Sequence, residues 1–243
     1  MKKKIKVALL FGGKSAEHEV SLRSAENVAN AINKDKYDVV LIGIDKTGKW
    51  LLGDSSTKLL DKANPKLYKL NSSNNDSVAL VPQGGGMISN LSNMNSKASI
   101  DVVFPILHGP FGEDGTVQGL LKLANVPFVG AGVLGSAVGM DKDVMKRLLR
   151  DAGIPIGKFI ALKQGEKISF DIAKKMLGLP LFIKPANMGS SVGVSKVKNK
   201  KEFDKAVSDA FKFDTKIIME EFIDGREIEC SVLGNDNPIA SKP

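Results

Sequence analysis

The 243-residue sequence has a single cysteine, Cys230, which excludes an internal disulfide. Its position within an alternating pattern indicates a small buried apolar side chain. No apolar run approaches the roughly 18 residues that a membrane-spanning helix requires. The early apolar run at residues 7–11 is too short for a signal peptide, and no small-residue cleavage site follows it. These absences argue against a disulfide scaffold and a membrane protein, and a cytoplasmic location is expected.

Arginine is also scarce, although the chain is basic. Only four of the 35 Lys and Arg residues are arginine, and the formal net charge is +8. Arginine makes most contacts to base edges, whereas scattered lysine is typical of a solubilising surface. The composition therefore argues against a nucleic-acid partner, and the positive charge equally suits an anionic small-molecule substrate.

The first half of the chain has the pattern of an α/β domain. Residues 5–11 form an apolar run that ends at Gly12 and Gly13; a helical pattern and a second apolar run at 39–44 follow. Strand, glycine turn, helix and strand in this order predict the opening of a doubly wound parallel sheet.

The rest of this domain is interrupted by a polar stretch. Residues 64–99 are rich in Asn, Ser and Gly, which predicts a long surface excursion with one short strand at 78–81. A further buried strand is expected at 102–107, then a helix at 115–124, and Phe128 starts the last strand.

The second half alternates helices and strands in a way that predicts antiparallel pairs. Helices are expected from Asp141 as N-cap, over 169–177, and after Asn199, where Glu202 completes a capping box. Strands are predicted at 181–184, 192–197, 216–222, 226–233 and from Ile239. The dipeptide Asp224-Gly225 predicts a hairpin in which Ile228 and Cys230 face the core.

A glycine- and serine-rich loop follows a strand that ends near Lys184. Its backbone N–H groups and serine hydroxyls can form a concavity for anions, and Lys184 adds a positive charge. A P-loop would lead into a helix, whereas here a strand is predicted, so the loop is interpreted as a flap over phosphates. Lys142, at the positive end of a helix dipole, is locally unfavourable unless an anion binds there. A plain hairpin loop with solvated lysines remains the alternative.

Two further regions carry chemistry-bearing side chains. Glu220, Glu227 and Glu229 can accept hydrogen bonds from ribose hydroxyls or an adenine amino group, or form a solvated charged face. Both histidines, His18 and His108, fall in loops at the edge where open α/β sheets bind ligands.

Glutamates 17 and 113 accompany those histidines in the two loops. The Gly12-Gly13 turn is not G-x-G-x-x-G, so a dinucleotide site is only weakly supported.

Five segments in this order resemble the D-alanine–D-alanine ligase family of the ATP-grasp superfamily: 11–21 (FGGKSAEHEVS), 108–115 (HGPFGEDG), 139–142 (GMDK), 184–193 (KPANMGSSVG) and 220–229 (EEFIDGREIE). The resemblance covers essentially the whole chain. It implies an α/β fold: a Rossmann-like N-terminal domain over residues 1–138 and an α+β ATP-grasp region. That region comprises a central subdomain over 139–219 and the incomplete start of a C-terminal subdomain over 220–243.

The resemblance also implies residue roles. Glu17 would orient the ammonium group of the first D-alanine, with Ser190 hydrogen-bonded nearby and His108 close to the substrate carboxylate. The implied ATP-binding residues are Lys142, Lys184, Ser190, Ser191, Gly193, Glu220, Glu221, Ile223 and Glu227.

The implied reaction converts a D-alanine carboxylate to an acyl phosphate with ATP, and a second D-alanine then attacks, for peptidoglycan precursor synthesis. Mg²⁺ or Mn²⁺ would be the metal cofactor, and the family suggests a homodimer through the first domain. The family's metal ligands, transition-state arginine and second-substrate site lie in a region expected beyond Pro243, which predicts that this chain is a fragment that cannot turn over alone.

Several alternatives remain open from the sequence. A D-alanine–D-lactate or D-alanine–D-serine ligase, or another ATP-grasp carboxylate–amine ligase, would share the same segments. A dinucleotide-dependent oxidoreductase using the first sheet and a nucleic-acid-binding module are alternatives from other classes.

Overall fold

A computed structural model of the chain describes residues 3–52, 76–91 and 97–243. Its helices and strands, in chain order, are β1 (Ile5–Gly12), α1 (His18–Ala31), β2 (Tyr37–Ile44), β3 (Trp50–Leu52), β4 (Asp76–Leu80), β5 (Met87–Asn90), β6 (Lys97–Ser99), β7 (Val102–Leu107), α2 (Thr116–Leu123), α3 (Val133–Met140), α4 (Lys142–Asp151), β8 (Phe159–Lys163), α5 (Phe170–Leu177), β9 (Leu181–Pro185), β10 (Ser195–Val197), α6 (Lys200–Ala210), β11 (Lys216–Glu221), β12 (Val232–Leu233) and β13 (Ile239–Ala240). None of the helices in these ranges is long and apolar enough to cross a bilayer.

A seven-stranded mixed sheet, in the order β6-β5-β4-β3-β2-β1-β7, organises the first half. Strand β1 pairs in parallel with β2 and β7, as the buried apolar runs predicted. Alternate residues of β1 enter two different cores, because successive side chains point to opposite faces. Leu9 packs with Leu22 of α1 on one face, and Leu10 packs with Leu121 of α2 on the other. The predicted α/β class is confirmed.

The predicted surface excursion is wrong for most of its described residues, although its one predicted short strand, at 78–81, agrees with β4. Residues 76–91 and 97–99 extend the sheet as strands β4, β5 and β6, and Val78 and Ile88 are buried in the core on the α2 side. Short alternating stretches between polar turns are enough to pair as antiparallel strands, although their composition is typical of loops. The remaining parts of this prediction, at 64–75 and 92–96, lie outside the described residues.

The last predicted strand of the first half is reduced to one contact. Phe128 forms a single parallel bridge to Val103 rather than a full strand. The division of the chain at residue 138 stays a prediction, and that position lies within α3.

The second sheet has four antiparallel strands in the order β10-β9-β11-β8. Helices α5 and α6 cover it, and their apolar side chains, among them Leu177 and Phe203, pack on Ile183, Ile217 and Met219 of the strands. The N-cap of α6 is confirmed, since the backbone N–H of Glu202 donates to the side chain of Asn199 at 3.0 Å. The second bond of the capping box is shifted by one residue, because the Glu202 carboxylate accepts from the backbone N–H of Lys198 at 2.7 Å. Strand β8 was not predicted from the sequence.

Residues 222–243 differ from the expectation. Only β12 and β13 form there, as a two-stranded ribbon, so the strand at 226–233 and the hairpin through Asp224-Gly225 are wrong. Ile228 is 59% exposed and Cys230 is exposed, which also corrects its prediction as a buried side chain. An alternating pattern forms a stable strand only beside a partner strand and under a covering layer, and residues 226–231 have neither within the described chain.

Candidate functional site

The two histidines lie at the carboxyl edge of the first sheet in different environments. His18 is buried, and its Nδ1 lies 2.9 Å from the carbonyl oxygen of Gly13, so the ring supports the glycine turn after β1. His108 is half-buried, and its Nε2 lies 3.3 Å from Oγ of Ser24 in α1. Only His108 is therefore partly open to a ligand at this edge.

A side-chain contact joins the two halves of the chain at the same edge. The hydroxyl of Ser190, in the loop after β9, donates to a carboxylate oxygen of Glu17. The other oxygen of Glu17 lies close to Gly109, where a Cβ would be only 2.6 Å away. Because residue 109 is a glycine and has no side chain, the loop after β7 can approach the Glu17 carboxylate closely. The structure thus brings Glu17, Ser190 and the His108 loop together.

The loop at residues 186–194 has an unusual backbone. Ser190 and Ser191 have φ values of 46° and 60°, in the left-handed region that side chains disfavour. Gly193 has φ 69°, and a Cβ there would lie 2.8 Å from both Phe213 and Pro185. The loop leads into β10, so it is a strand-to-strand loop as predicted. Non-glycine residues held in this region cluster at ligand-binding sites.

Lys142 lies at the base of this loop. Asp141 is the N-cap of α4, as predicted, and accepts from the backbone N–H of Asp143 and Val144 at 3.1 Å. The ammonium of Lys142 donates to the carbonyl oxygens of Met188 at 2.5 Å and Ala186 at 3.3 Å. Within the described part of the chain, the acceptors of this cation are neutral carbonyl oxygens of the flap, which leaves its charge available to an anion.

Lys184 shares a carboxylate with a second lysine. Its ammonium pairs with one oxygen of Glu220 on the adjacent strand β11, and Nζ of Lys146 lies 2.9 Å from the other oxygen. The Glu220 side chain is only 14% exposed. Lys142, Lys146 and Lys184 therefore border the cleft between α4 and the second sheet together with Glu220, and the charges of Asp141 and Asp214 also act on Lys142.

The charges of these groups act on one another's pKa. Burial, and then the charge of Lys184, lowers the pKa of Lys142 below its ordinary value. Burial by itself would raise the pKa of Glu220, but hydrogen bonds from Lys184 and Lys146 outweigh it, and this pKa lies below its ordinary value. An anion that approaches Lys142 and Lys184 would relieve their mutual repulsion.

Two lysines of this region were missed from the sequence. Lys146 follows Lys142 by four residues, so the helical period places both on one face of α4, and that spacing could have identified it. Lys216 lies 2.5 Å from Asp141 and 3.4 Å from Asp143, and no local pattern indicates this contact. Burial alone would lower the pKa of Lys216, but the hydrogen bond and charge of Asp141 raise it.

The remaining predicted residues are less constrained. Glu221 accepts from the backbone N–H of Lys158 at 2.7 Å, which ties the end of β11 to the residue before β8. Ser191, Ile223 and Glu227 are exposed, and the structure does not bring Glu227 to the lysine cluster.

The described residues contain no group of three or more His, Cys, Asp or Glu side chains that could hold a metal ion.

Comparison with known proteins assigns the chain to a family. Residues 6–131 match the model described as D-ala D-ala ligase N-terminus, and residues 148–243 match D-ala D-ala ligase C-terminus. The chain belongs to the D-alanine–D-alanine ligase family. The resemblance inferred from the five sequence segments is therefore confirmed.

Individual members of the D-alanine–D-alanine ligase family are similar over nearly the whole chain. The D-alanine–D-alanine ligase of Oceanobacillus iheyensis is 55% identical over 99% of this chain and 66% of its own length. The structure of the Coxiella burnetii D-alanine–D-alanine ligase superposes with a TM-score of 0.85 at 37% identity, over 98% of this chain and 67% of that one. The structure of VanG D-Ala:D-Ser ligase from Enterococcus faecalis superposes with a TM-score of 0.84 at 39% identity. The superposition covers 98% of this chain and 68% of that one. The chain thus spans slightly less than two thirds of the length of the curated relative.

Proposed function

We propose that this chain forms the ATP-binding and first-substrate-binding part of an ATP-dependent ligase that joins two D-alanines into D-alanyl-D-alanine. The observation that carries the proposal is the hydrogen bond from Ser190 to Glu17. It places the flap above the lysine cleft directly against the loops at the edge of the first sheet. A nucleotide in the cleft and a small amino acid at Glu17 would therefore be neighbours.

The residue types suit this chemistry. A carboxylate is a poor acyl donor, and ATP, when bound, supplies the phosphoryl group that activates it. Lys142 and Lys184 neutralise phosphate charge, and the hydroxyl of Ser191 with the backbone N–H groups of Ser190 and Gly193 add donors from the flap. Because Lys142 donates to carbonyl oxygens and to no carboxylate among residues 3–52, 76–91 and 97–243, its ammonium can turn to a phosphate without breaking an ion pair there.

The substrate end uses groups of opposite character. The carboxylate of Glu17 accepts from the ammonium of the first D-alanine and orients it. His108, half-buried on the neighbouring loop, lies close to the carboxylate of that D-alanine.

The nucleotide base and ribose are assigned to the end of β11 and the residues after it. Glu220 and the backbone of Glu221 and Ile223 bind adenine, and Glu227 accepts from the ribose hydroxyls. Glu227 needs the segment after β11 to fold over the nucleotide for this contact.

The metal is assigned elsewhere. Mg²⁺ prefers an octahedral set of oxygen ligands, which the described residues do not supply, so they do not fit a magnesium site. The ligands of Mg²⁺ or Mn²⁺ are expected in the C-terminal region that the relatives possess and this chain does not include. We further propose that the protein acts in the cytoplasm, since the reaction consumes ATP. The family suggests that it is a homodimer and that it contributes to peptidoglycan precursor synthesis.

The second amino acid is proposed to be D-alanine, as in the Oceanobacillus iheyensis D-alanine–D-alanine ligase, which is 55% identical to this chain. Identity to the solved structures does not separate the two specificities, since it is 37% for the Coxiella burnetii D-alanine–D-alanine ligase and 39% for VanG D-Ala:D-Ser ligase. The full-length protein should release phosphate from ATP fastest with D-alanine when D-alanine, D-serine and D-lactate are offered as second substrates. Faster release with D-serine or D-lactate would assign the second candidate function instead.

Two variants separate the proposed subsites. Lys184→Met should raise the KM for ATP about ten-fold or more and change the KM for D-alanine little, whereas Glu17→Gln should do the reverse. Lys174→Met, on the exposed face of α5, is the matched control and should leave both values unchanged. Equal effects of Glu17→Gln on both substrates would contradict its assignment.

A further inference from the structure

The connection between α6 and β11, residues 211–215, contacts both ends of the flap, the loop at 186–194. At the start of the flap, the backbone N–H and the side-chain amide of Asn187 donate to one carboxylate oxygen of Asp214, at 2.8 and 3.0 Å. At its end, the ring of Phe213 lies so close to Gly193 that a Cβ there would be 2.8 Å away. One short segment of the chain therefore holds the flap at both ends.

The carboxylate of Asp214 joins the flap to the second sheet. Its other oxygen accepts from the backbone N–H of Lys216, the first residue of β11, at 3.1 Å. Three hydrogen bonds thus converge on one half-buried carboxylate. Hydrogen bonds to a charged acceptor are about twice as strong as those between neutral groups, so a carboxylate holds the flap more firmly than a neutral side chain would.

The peptide unit between Ala186 and Asn187 connects this carboxylate to Lys142. The N–H of that unit donates to Asp214. Its C=O accepts from the backbone N–H of Lys142 at 3.1 Å and from the ammonium at 3.3 Å. The second carbonyl that holds the ammonium belongs to Met188, the residue after Asn187. A carboxylate that fixes Asn187 therefore fixes both acceptors of the Lys142 ammonium.

The charge of Asp214 also acts on Lys142. Burial, and then the charge of Lys184, lowers the pKa of Lys142, and Asp214 is one of three carboxylates whose charges act in the opposite direction. Among residues 3–52, 76–91 and 97–243, no lysine, arginine or histidine forms a salt bridge with Asp214. Asp214 therefore favours the protonated form of Lys142 in a cleft where burial disfavours it.

We propose that Asp214 is a positioning residue for the ATP half of the ligase reaction: it holds the flap and, through the peptide between Ala186 and Asn187, places the Lys142 ammonium against the phosphates. The inference rests on the proposed function, because it requires ATP in the lysine cleft. Asp214 acts through the flap and contacts neither ATP nor D-alanine. Since its hydrogen bonds exist before the nucleotide arrives, less conformational entropy is lost when ATP binds.

Steady-state kinetics of the full-length enzyme test this role. Asp214→Ala should raise the KM for ATP about ten-fold, because the flap loses a charged acceptor, and should change the KM for D-alanine less than about two-fold. Asp204→Ala removes an exposed carboxylate from α6 and, as the matched control, should change neither value. An unchanged KM for ATP in Asp214→Ala, or equal changes for both substrates, would overturn the proposal. A wild-type enzyme that releases no phosphate from ATP with D-alanine would instead overturn the proposed function.

A second substitution tests whether Asp214 acts through Asn187. Asn187→Ala removes only the side-chain bond to Asp214 and should raise the KM for ATP about three-fold. Added to Asp214→Ala, it should raise that KM by less than about two-fold more, because the bond is already lost. Full addition of the two effects would contradict a path through Asn187.

Backbone amide exchange separates positioning from a general loss of structure. In Asp214→Ala, amides at 187–194 should exchange faster than in the wild type, whereas those of β1 and β9 should keep their rates. Faster exchange throughout the second sheet, together with a lower Tm, would show that Asp214 stabilises the whole subdomain and would overturn its positioning role.

Discussion

Two segments on either side of Phe222 were both predicted as strands and have different fates. Strand β11 carries a run of three apolar residues, Ile217 to Met219, followed by two glutamates, whereas residues 227–230 alternate charged and apolar side chains. In β11, Ile217 is fully buried, because β8 and β9 pair with it on both sides and α5 and α6 cover one face. Residues 226–233 are exposed throughout. An alternating sequence can give a strand one apolar and one polar face. The apolar face becomes part of a core only when a neighbouring strand pairs with the segment and a covering layer removes that face from water.

The two glutamates proposed to contact the nucleotide differ in the same way, one being held in the sheet and the other exposed. Glu220, on β11, is held by two lysines, whereas Glu227, beyond it, is exposed. Glu220 is thus preorganised, and ordering Glu227 on a nucleotide would cost conformational entropy.

The largest effect is expected for the core side chain of the buried strand. Ile217→Ala should lower the free energy of unfolding by about 3 kcal/mol, because it leaves a cavity in a fully packed core. Ile228→Ala is the matched control and should change it by less than about 0.5 kcal/mol. Denaturant unfolding measures both, and similar losses for the two variants would erase the contrast between the segments.

A smaller loss is expected for the ion pair at the start of β11. Lys216→Met removes this cation from the half-buried Asp141 and the buried Asp143, of which Asp143 keeps Arg147, and should lower the free energy of unfolding by about 2 kcal/mol. Arg226→Met removes an exposed cation ten residues later and should cost less than about 0.5 kcal/mol. If the two variants unfold at the same denaturant concentration, the Lys216 pair does not stabilise the fold.

The pH dependence of unfolding sharpens the comparison at the two glutamates. The folded pKa of Glu220 lies below its unfolded value near 4.5, so its stabilisation is complete above that pH and is lost as the pH falls through the folded pKa. Glu220→Gln should therefore lower the free energy of unfolding at pH 7. That free energy should then fall less steeply as the pH is lowered, because the variant has no Glu220 carboxylate to protonate. Glu227→Gln is the control, and equal changes in both acid profiles would contradict the preorganised state of Glu220.

The smallest effect is expected at Cys230. A thiol reagent such as 5,5′-dithiobis(2-nitrobenzoate) should label one cysteine in the folded protein within about three-fold of the rate in denaturant, since the side chain is exposed. Cys230→Ser should change the free energy of unfolding by less than about 0.5 kcal/mol. Labelling that requires denaturant would show that residues 226–233 are covered after all.

Much of the site could be predicted because its signals are local. The cap at Asp141 depends on residues within one helical turn, and the left-handed serines lie in a loop rich in glycine and serine. Lys216 and its contact with Asp141 could not be predicted, since 75 residues separate the two and only the packing of α4 against the second sheet brings them together.

The sequence by itself determined the family, the α/β class, the parallel strands of the first sheet and the position of the phosphate loop, because these follow from apolar runs, glycine turns and contiguous motifs. Only the tertiary structure decided that the Asn- and Ser-rich region contributes strands, that Glu220 lies between two lysines, and that residues 226–233 stay exposed. Those outcomes depend on which distant strand or helix is present to pair with a segment and remove it from water, and no local pattern encodes that partner.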